Sequence, residues 1–128
     1  MSPLKCRCEG LSGLDLVRCL APPPGDYEVS LEAGRGRELI INSEGVYLRS
    51  VVSDDYLPFI RTADLRVSGE VLRTLGFDLE SLLCEAVKGL LNASQHGSQA
   101  ASEKVAECTD LVNSVLESCA KQWVSTNV

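Results

Sequence analysis

DLESLLCEAVKGLL, residues Asp78 to Leu91, is the stretch whose reading decides the fold. Leu79, Leu82, Leu83, Ala86, Val87, Leu90 and Leu91 recur at i, i+3, i+4 and i+7, the spacing that gathers them on one stripe of an α-helix. Glu80, Ser81, Glu85 and Lys88 fall on the other side. Asp78 has the short acceptor that the free amides of a first helical turn require, and Phe77 is placed to pack on Leu82 as a hydrophobic staple. An apolar stripe this wide needs a surface to cover. The β-rich stretch before it and the long helical stretch after it supply two.

Working back from Asp78, Gly76 is a natural left-handed stop for a short helix that starts after Ser68 and carries Val71, Leu72 and Leu75. Ala63 to Val67 alternates as a further strand or a packed loop. Ser53-Asp54-Asp55 interrupts the chain before it, and Pro58 limits how Tyr56 to Ile60 can continue. Upstream lies a meander of three antiparallel strands, Asp26 to Ala33, Glu38 to Asn42 and Val46 to Val52. Tyr27, Val29, Leu31 and Ala33 alternate with polar residues in the first of these. Gly34-Arg35-Gly36-Arg37 and Asn42-Ser43-Glu44-Gly45 are the turns. Ala21-Pro22-Pro23-Pro24-Gly25 is a stiff connector that must end the short helix capped by Ser12. Leu4 to Glu9 alternates strictly, with Leu4, Cys6 and Cys8 on one side, and reads as an N-terminal strand.

Downstream, the polar stretch Asn92 to Gly97 breaks the chain, and Ser98 to Val124 contains neither Gly nor Pro. Roughly 27 residues at about 1.5 Å each would make a helix of about 40 Å. Val105, Cys108, Val112, Val115 and Cys119 alternate in threes and fours, the repeat of a coiled-coil seam. The expectation is one α+β domain over residues 1–128, with a sheet-rich part (4–67) and a helical part (68–124). The small antiparallel sheet consists of the N-terminal strand plus the meander, with helices packed on one face and a long C-terminal helix.

Composition narrows the function. The 128 residues are 45% hydrophobic and 23% charged, which is globular rather than disordered. A net charge of −6 repels nucleic acid and anionic membrane at long range, so nucleic acid is disfavoured as a partner. No apolar run approaches the roughly 20 residues that span a bilayer, and the charged N-terminus does not resemble a signal peptide, so a cytoplasmic protein is expected. Asn92-Ala93-Ser94 fits the glycosylation pattern, which has no use without a secretory route.

No hydrolase, P-loop or zinc-protease motif stands in the chain, and the lone His96 has no nucleophile at a motif spacing, so no enzyme activity, cofactor or metal is assigned. Asp54, Asp55 and Asp64 are acidic turn residues as readily as metal ligands. Six cysteines are many for a cytoplasmic chain. Cys6 and Cys8 read as small core residues of the strand, ahead of a thiol or metal half-site. Cys84 is the unexplained one: it lies off the leucine stripe, which requires either a cover on the far side of that helix or a pairing with another cysteine. Cys108 and Cys119 cannot bond each other within one helix, and each is a packing residue or meets a cysteine elsewhere.

The function expected is protein association: a non-enzymatic subunit or adaptor, homo-oligomeric through the seam Val105, Cys108, Val112, Val115 and Cys119. The alternative is a small regulatory module that binds an anionic ligand, nucleotide or nucleic acid at the hairpin tip through Arg35 and Arg37.

Overall fold

A computed structural model describes residues 5–52 and 61–126, and their side chains except at 51, 52, 61–64 and 122–126. The chain runs α1 (Gly13–Leu20), β1 (Val29–Glu32), β2 (Arg37–Asn42), β3 (Gly45–Val52), β4 (Arg61–Arg66), α2 (Gly69–Thr74), α3 (Leu79–Gln95), α4 (Gln99–Glu107) and α5 (Thr109–Thr126). This is an α+β fold, with one antiparallel sheet in the order β1-β2-β3-β4 and a long final helix.

The meander forms where the alternation put it. Leu31, Leu39, Leu48 and Leu65 lie in register across the sheet, so one face carries a row of leucines. The first three pack inward, whereas Leu65 on the edge strand is 66% exposed. The β1–β2 turn puts Gly34, Arg35 and Gly36 all at positive φ, which explains the glycines on either side of the arginine. The fourth strand is Arg61–Arg66, overlapping the Ala63 to Val67 stretch whose alternation suggested one but starting two residues earlier; the N-terminal segment does not join the sheet. Residues 7–10 form a turn, with Glu9 N–H donating to the Cys6 carbonyl and Leu11 N–H to that of Cys8. The i, i+2 spacing of Cys6 and Cys8 serves two disulfides rather than one strand face.

Asp78 caps α3, accepting from Ser81 N–H at 2.7 Å and from the Ser81 hydroxyl at 3.0 Å. Before it, α2 closes in a Schellman turn: Gly76 is at φ 88°, Phe77 N–H donates to the Leu72 carbonyl and Gly76 N–H to that of Arg73. The same device ends α3, where Gly97 is left-handed and Ser98 N–H reaches the Ala93 carbonyl. Ser98 then caps α4 by accepting from Ala101 N–H at 3.3 Å. The break between the long helices is therefore shorter than the polar stretch, because α3 runs on to Gln95. Ser12 holds the N-cap position of α1 without a side-chain cap bond.

α3 divides the interior. Its Leu82 and Ala86 join the sheet, Val17 and Ala21 of the α1 region, and Leu72 in one apolar cluster. Its Cys84, Val87, Leu90 and Ala93 join Cys8, Leu20, Ala101, Cys108, Val112, Val115 and Cys119 in a second. Cys84 is thus buried because α3 is covered on both sides. Leu79, counted on the stripe, is exposed at the first turn. Gly89 marks the closest approach: a Cβ there would stand 2.5 Å from Val29 Cγ2 and 3.2 Å from Pro22 Cγ.

Candidate functional site, the disulfide cleft

All six cysteines are paired, as Cys6–Cys108, Cys8–Cys19 and Cys84–Cys119. The reading of Cys6, Cys8, Cys108 and Cys119 as free packing thiols is corrected; what holds is that each of Cys84, Cys108 and Cys119 meets a cysteine elsewhere. The Cα separations are 4.8, 5.6 and 5.8 Å, inside the range a disulfide demands.

Two of these bonds bring residues 5–11 onto the helices. Cys6 is tied to the α4–α5 junction and Cys8 to α1. Between them Arg7 makes three bonds to Glu107: backbone N–H and Nε donate to Oε2 at 2.9 and 2.8 Å, and Nη2 donates to Oε1 at 3.1 Å. This forked pairing holds the Glu107 carboxyl at about 2, chiefly through the side-chain hydrogen bond and then the backbone one. Next to it, burial pushes the Lys104 ammonium below its ordinary value, an effect that the Arg7 charge deepens and the Glu107 charge opposes. Lys104 Nζ donates to the Ala21 carbonyl at 3.1 Å, which satisfies a buried cation at the end of α1.

The final helical stretch is two helices, not one. Cys108 ends α4 at φ −115° and ψ 30°, and α5 begins at Thr109. The bend lets Cys108 face the N-terminal segment. Around it opens a cleft of about 810 Å³, walled by Lys5, Cys6 and Glu9 on one side and Glu107, Cys108 and Asp110 on the other. Leu11, Leu16 and Leu111 add apolar surface. A volume of this order is within the range of ligand pockets.

Cys108, Val112, Val115 and Cys119, read as a seam between subunits, are buried in the chain's own second cluster, and Val105 packs against it. The four-three repeat is real, but the surface it fits is α3 and the N-terminal segment. At the hairpin tip Arg35 is exposed, and Arg37 Nε donates back to the Gly34 carbonyl of its own turn at 3.4 Å. His96 is engaged at the end of α3, with Nδ1 2.8 Å from the Asn92 carbonyl and its ring stacked on Tyr27 at 5.2 Å. Asp54 and Asp55 lie outside the described residues, as does the side chain of Asp64.

No protein family, curated protein or solved structure matches this chain. Nor is any helix among the described residues long and apolar enough to cross a membrane.

Arg7, Glu107 and Lys104 carry the geometry here, and reading the sequence passed over all three. The even count of cysteines, with Cys6 and Cys8 so close, was the available signal. Strict alternation in the same residues pointed to a strand instead.

Proposed function

We propose that this chain is a non-enzymatic association module of an oxidising compartment, which pairs with a second copy of itself through the disulfide cleft. The observation that carries this reading is the clamping of residues 5–11 around the cleft by Cys6–Cys108, Cys8–Cys19 and the forked Arg7–Glu107 pair. A contact surface ordered before binding loses little conformational freedom on binding, which favours affinity. The cleft also mixes Lys5 with Glu9 and Asp110 beside Leu11 and Leu111, and a patch of both signs offers opposite charges to a second copy across a two-fold axis. The groups most suited to chemistry are already committed: the thiols to one another, Glu107 to Arg7, and His96 to Asn92 and Tyr27. Three disulfides favour an oxidising compartment over the cytoplasm, where thiols are kept reduced.

Sedimentation equilibrium under non-reducing conditions tests it. The wild type is expected above the 13.8 kDa of one chain, and replacing Leu11 and Leu111 together by Asp is expected to return it to that mass with all disulfides intact. A wild type that stays at 13.8 kDa at high micromolar concentration contradicts the self-association reading.

A further inference from the structure

We propose that Cys6, Cys8, Cys19 and Cys108, once their two disulfides are reduced, form a four-thiolate site for zinc. The inference stands apart from self-association and concerns the chain in its reduced state. The Sγ atoms of Cys6, Cys8 and Cys108 lie within 4.8 Å of one another, although they belong to two different disulfides. Cys19 is bonded to Cys8 and is therefore the adjacent fourth donor. Zinc–sulfur bonds of about 2.3 Å in a tetrahedron set sulfur atoms roughly 3.8 Å apart. Reaching that spacing opens each S–S bond by less than about 2 Å and draws Cys8 towards Cys6 and Cys108 by about 1 Å, whereas Cys19, bonded to Cys8 but outside that close group, has further to move. Three separate parts of the chain supply the ligands: the N-terminal segment, α1 and the α4–α5 junction. Glu107 is a poorer fourth ligand, because both its oxygens hold Arg7.

The surroundings suit thiolates. Cys8 and Cys108 are buried, Cys108 sits at the N-terminal end of the 18-residue α5, and the Arg7 guanidinium neutralises Glu107, whose Oε2 lies 3.9 Å from Cys108 Sγ. The chemistry balances with an external phosphine or dithiol. Each disulfide takes up two electrons and two protons to give two thiols, and zinc then displaces up to four protons as four thiolates bind. The N-terminal segment would thus stay fastened to the helices in either redox state, by sulfur–sulfur bonds when oxidised and by metal when reduced.

The test uses the full chain, reduced with a phosphine that is removed before titration with Zn²⁺ against a chromophoric chelator. Co²⁺ serves as the spectroscopic probe. The expected result is one metal per chain and the visible absorption of tetrahedral cobalt thiolate. Cys8→Ser and Cys19→Ser should each weaken binding by more than about tenfold, since even outer-shell losses cost roughly that much. The Cys84→Ser/Cys119→Ser variant should bind as the wild type does. Circular dichroism follows the fold in parallel, and a reduced chain that unfolds should regain helix on adding zinc. Failure of the reduced wild type to take up one zinc at micromolar concentration, folded or not, overturns the proposal. So does binding that survives Cys8→Ser unchanged or that requires Cys84 and Cys119.

Discussion

The two apolar clusters on either side of α3 are built on different principles. The sheet-side cluster, with Leu39, Ile41, Val46, Leu48, Leu72 and Leu82, contains no cysteine and is held by large aliphatic side chains under a hydrogen-bonded ladder. The helix-side cluster holds Cys8, Cys84, Cys108 and Cys119 and has Cys6 and Cys19 packed against it. Its remaining buried residues are leucine, valine and alanine, Leu20 and Leu90 being the largest of them. Smaller side chains bury less apolar area, so each residue there contributes less to stability. Disulfides offset that deficit by restricting the unfolded chain. One half rests on burial, the other on cross-links.

Reduction should break the symmetry between the halves most strongly. The bridges close loops of 102, 35 and 11 residues, and loss of each costs about 2–4 kcal/mol, with the longest loop costing most in the chain-entropy picture. Hydrogen exchange on the reduced, metal-free protein should therefore show α4 and α5 losing protection while β2 and β3 keep theirs. Equal loss in both halves would mean that the sheet depends on the cross-links too.

Val112→Asp sharpens the comparison by asking what the four-three seam does. Val112 is 3% exposed within the chain's own core, so an unpaired carboxylate there should cost about 3–5 kcal/mol and melt the helix-side half. Were the seam an interface between subunits, the same change would lower the mass in solution and leave the thermal transition in place.

A smaller effect is expected at the seat of α3 on the sheet side. Gly89→Ala gains helix propensity of about 1 kcal/mol, but its Cβ drives into Val29 and Pro22. Val29 is stiff and Pro22 is buried, so overpacking of about 1–3 kcal/mol should win and lower the midpoint of denaturant unfolding. An unchanged or raised midpoint would show that β1 yields at this contact.

The most local effect concerns Glu107. Its folded value of about 2 is below its ordinary 4.5, so its contribution is present above the ordinary value and is lost as pH falls through that window. Carboxyl-carbon NMR should place its titration near 2 and show Arg7→Ala returning it to the ordinary carboxylate range. A wild-type midpoint near 4.5 would mean that the forked pair does not persist in solution.

How much of this was legible in the sequence follows from how local each signal is. The α3 stripe, its Asp78 cap, the Gly76 stop and the meander turns are fixed by residues within a few positions of each other, and they stand where periodicity and turn chemistry put them. Two of the three disulfides are not local. Cys6–Cys108 spans 102 positions, and six cysteines permit 15 pairings, among which composition cannot choose. The N-terminal strand was misread because alternation also arises when two side chains two residues apart must reach different partners. Cys84 went the other way: its awkward place off the leucine stripe already indicated a second cover or a pairing, and both are present. The bend at Cys108 carries no Gly or Pro to announce it, and the arrangement at Arg7, Glu107 and Lys104 exists only once the ends of the chain meet.

Disulfide connectivity in the native protein tests the stapled half most directly. Protein purified with thiols blocked at lysis, digested without reductant and analysed by mass spectrometry, should yield three cross-linked peptide pairs joining Cys6 to Cys108, Cys8 to Cys19 and Cys84 to Cys119. No cysteine should carry the blocking reagent before reduction. Cysteines alkylated at the outset, or a different set of pairs, would contradict a helical half held together by these cross-links.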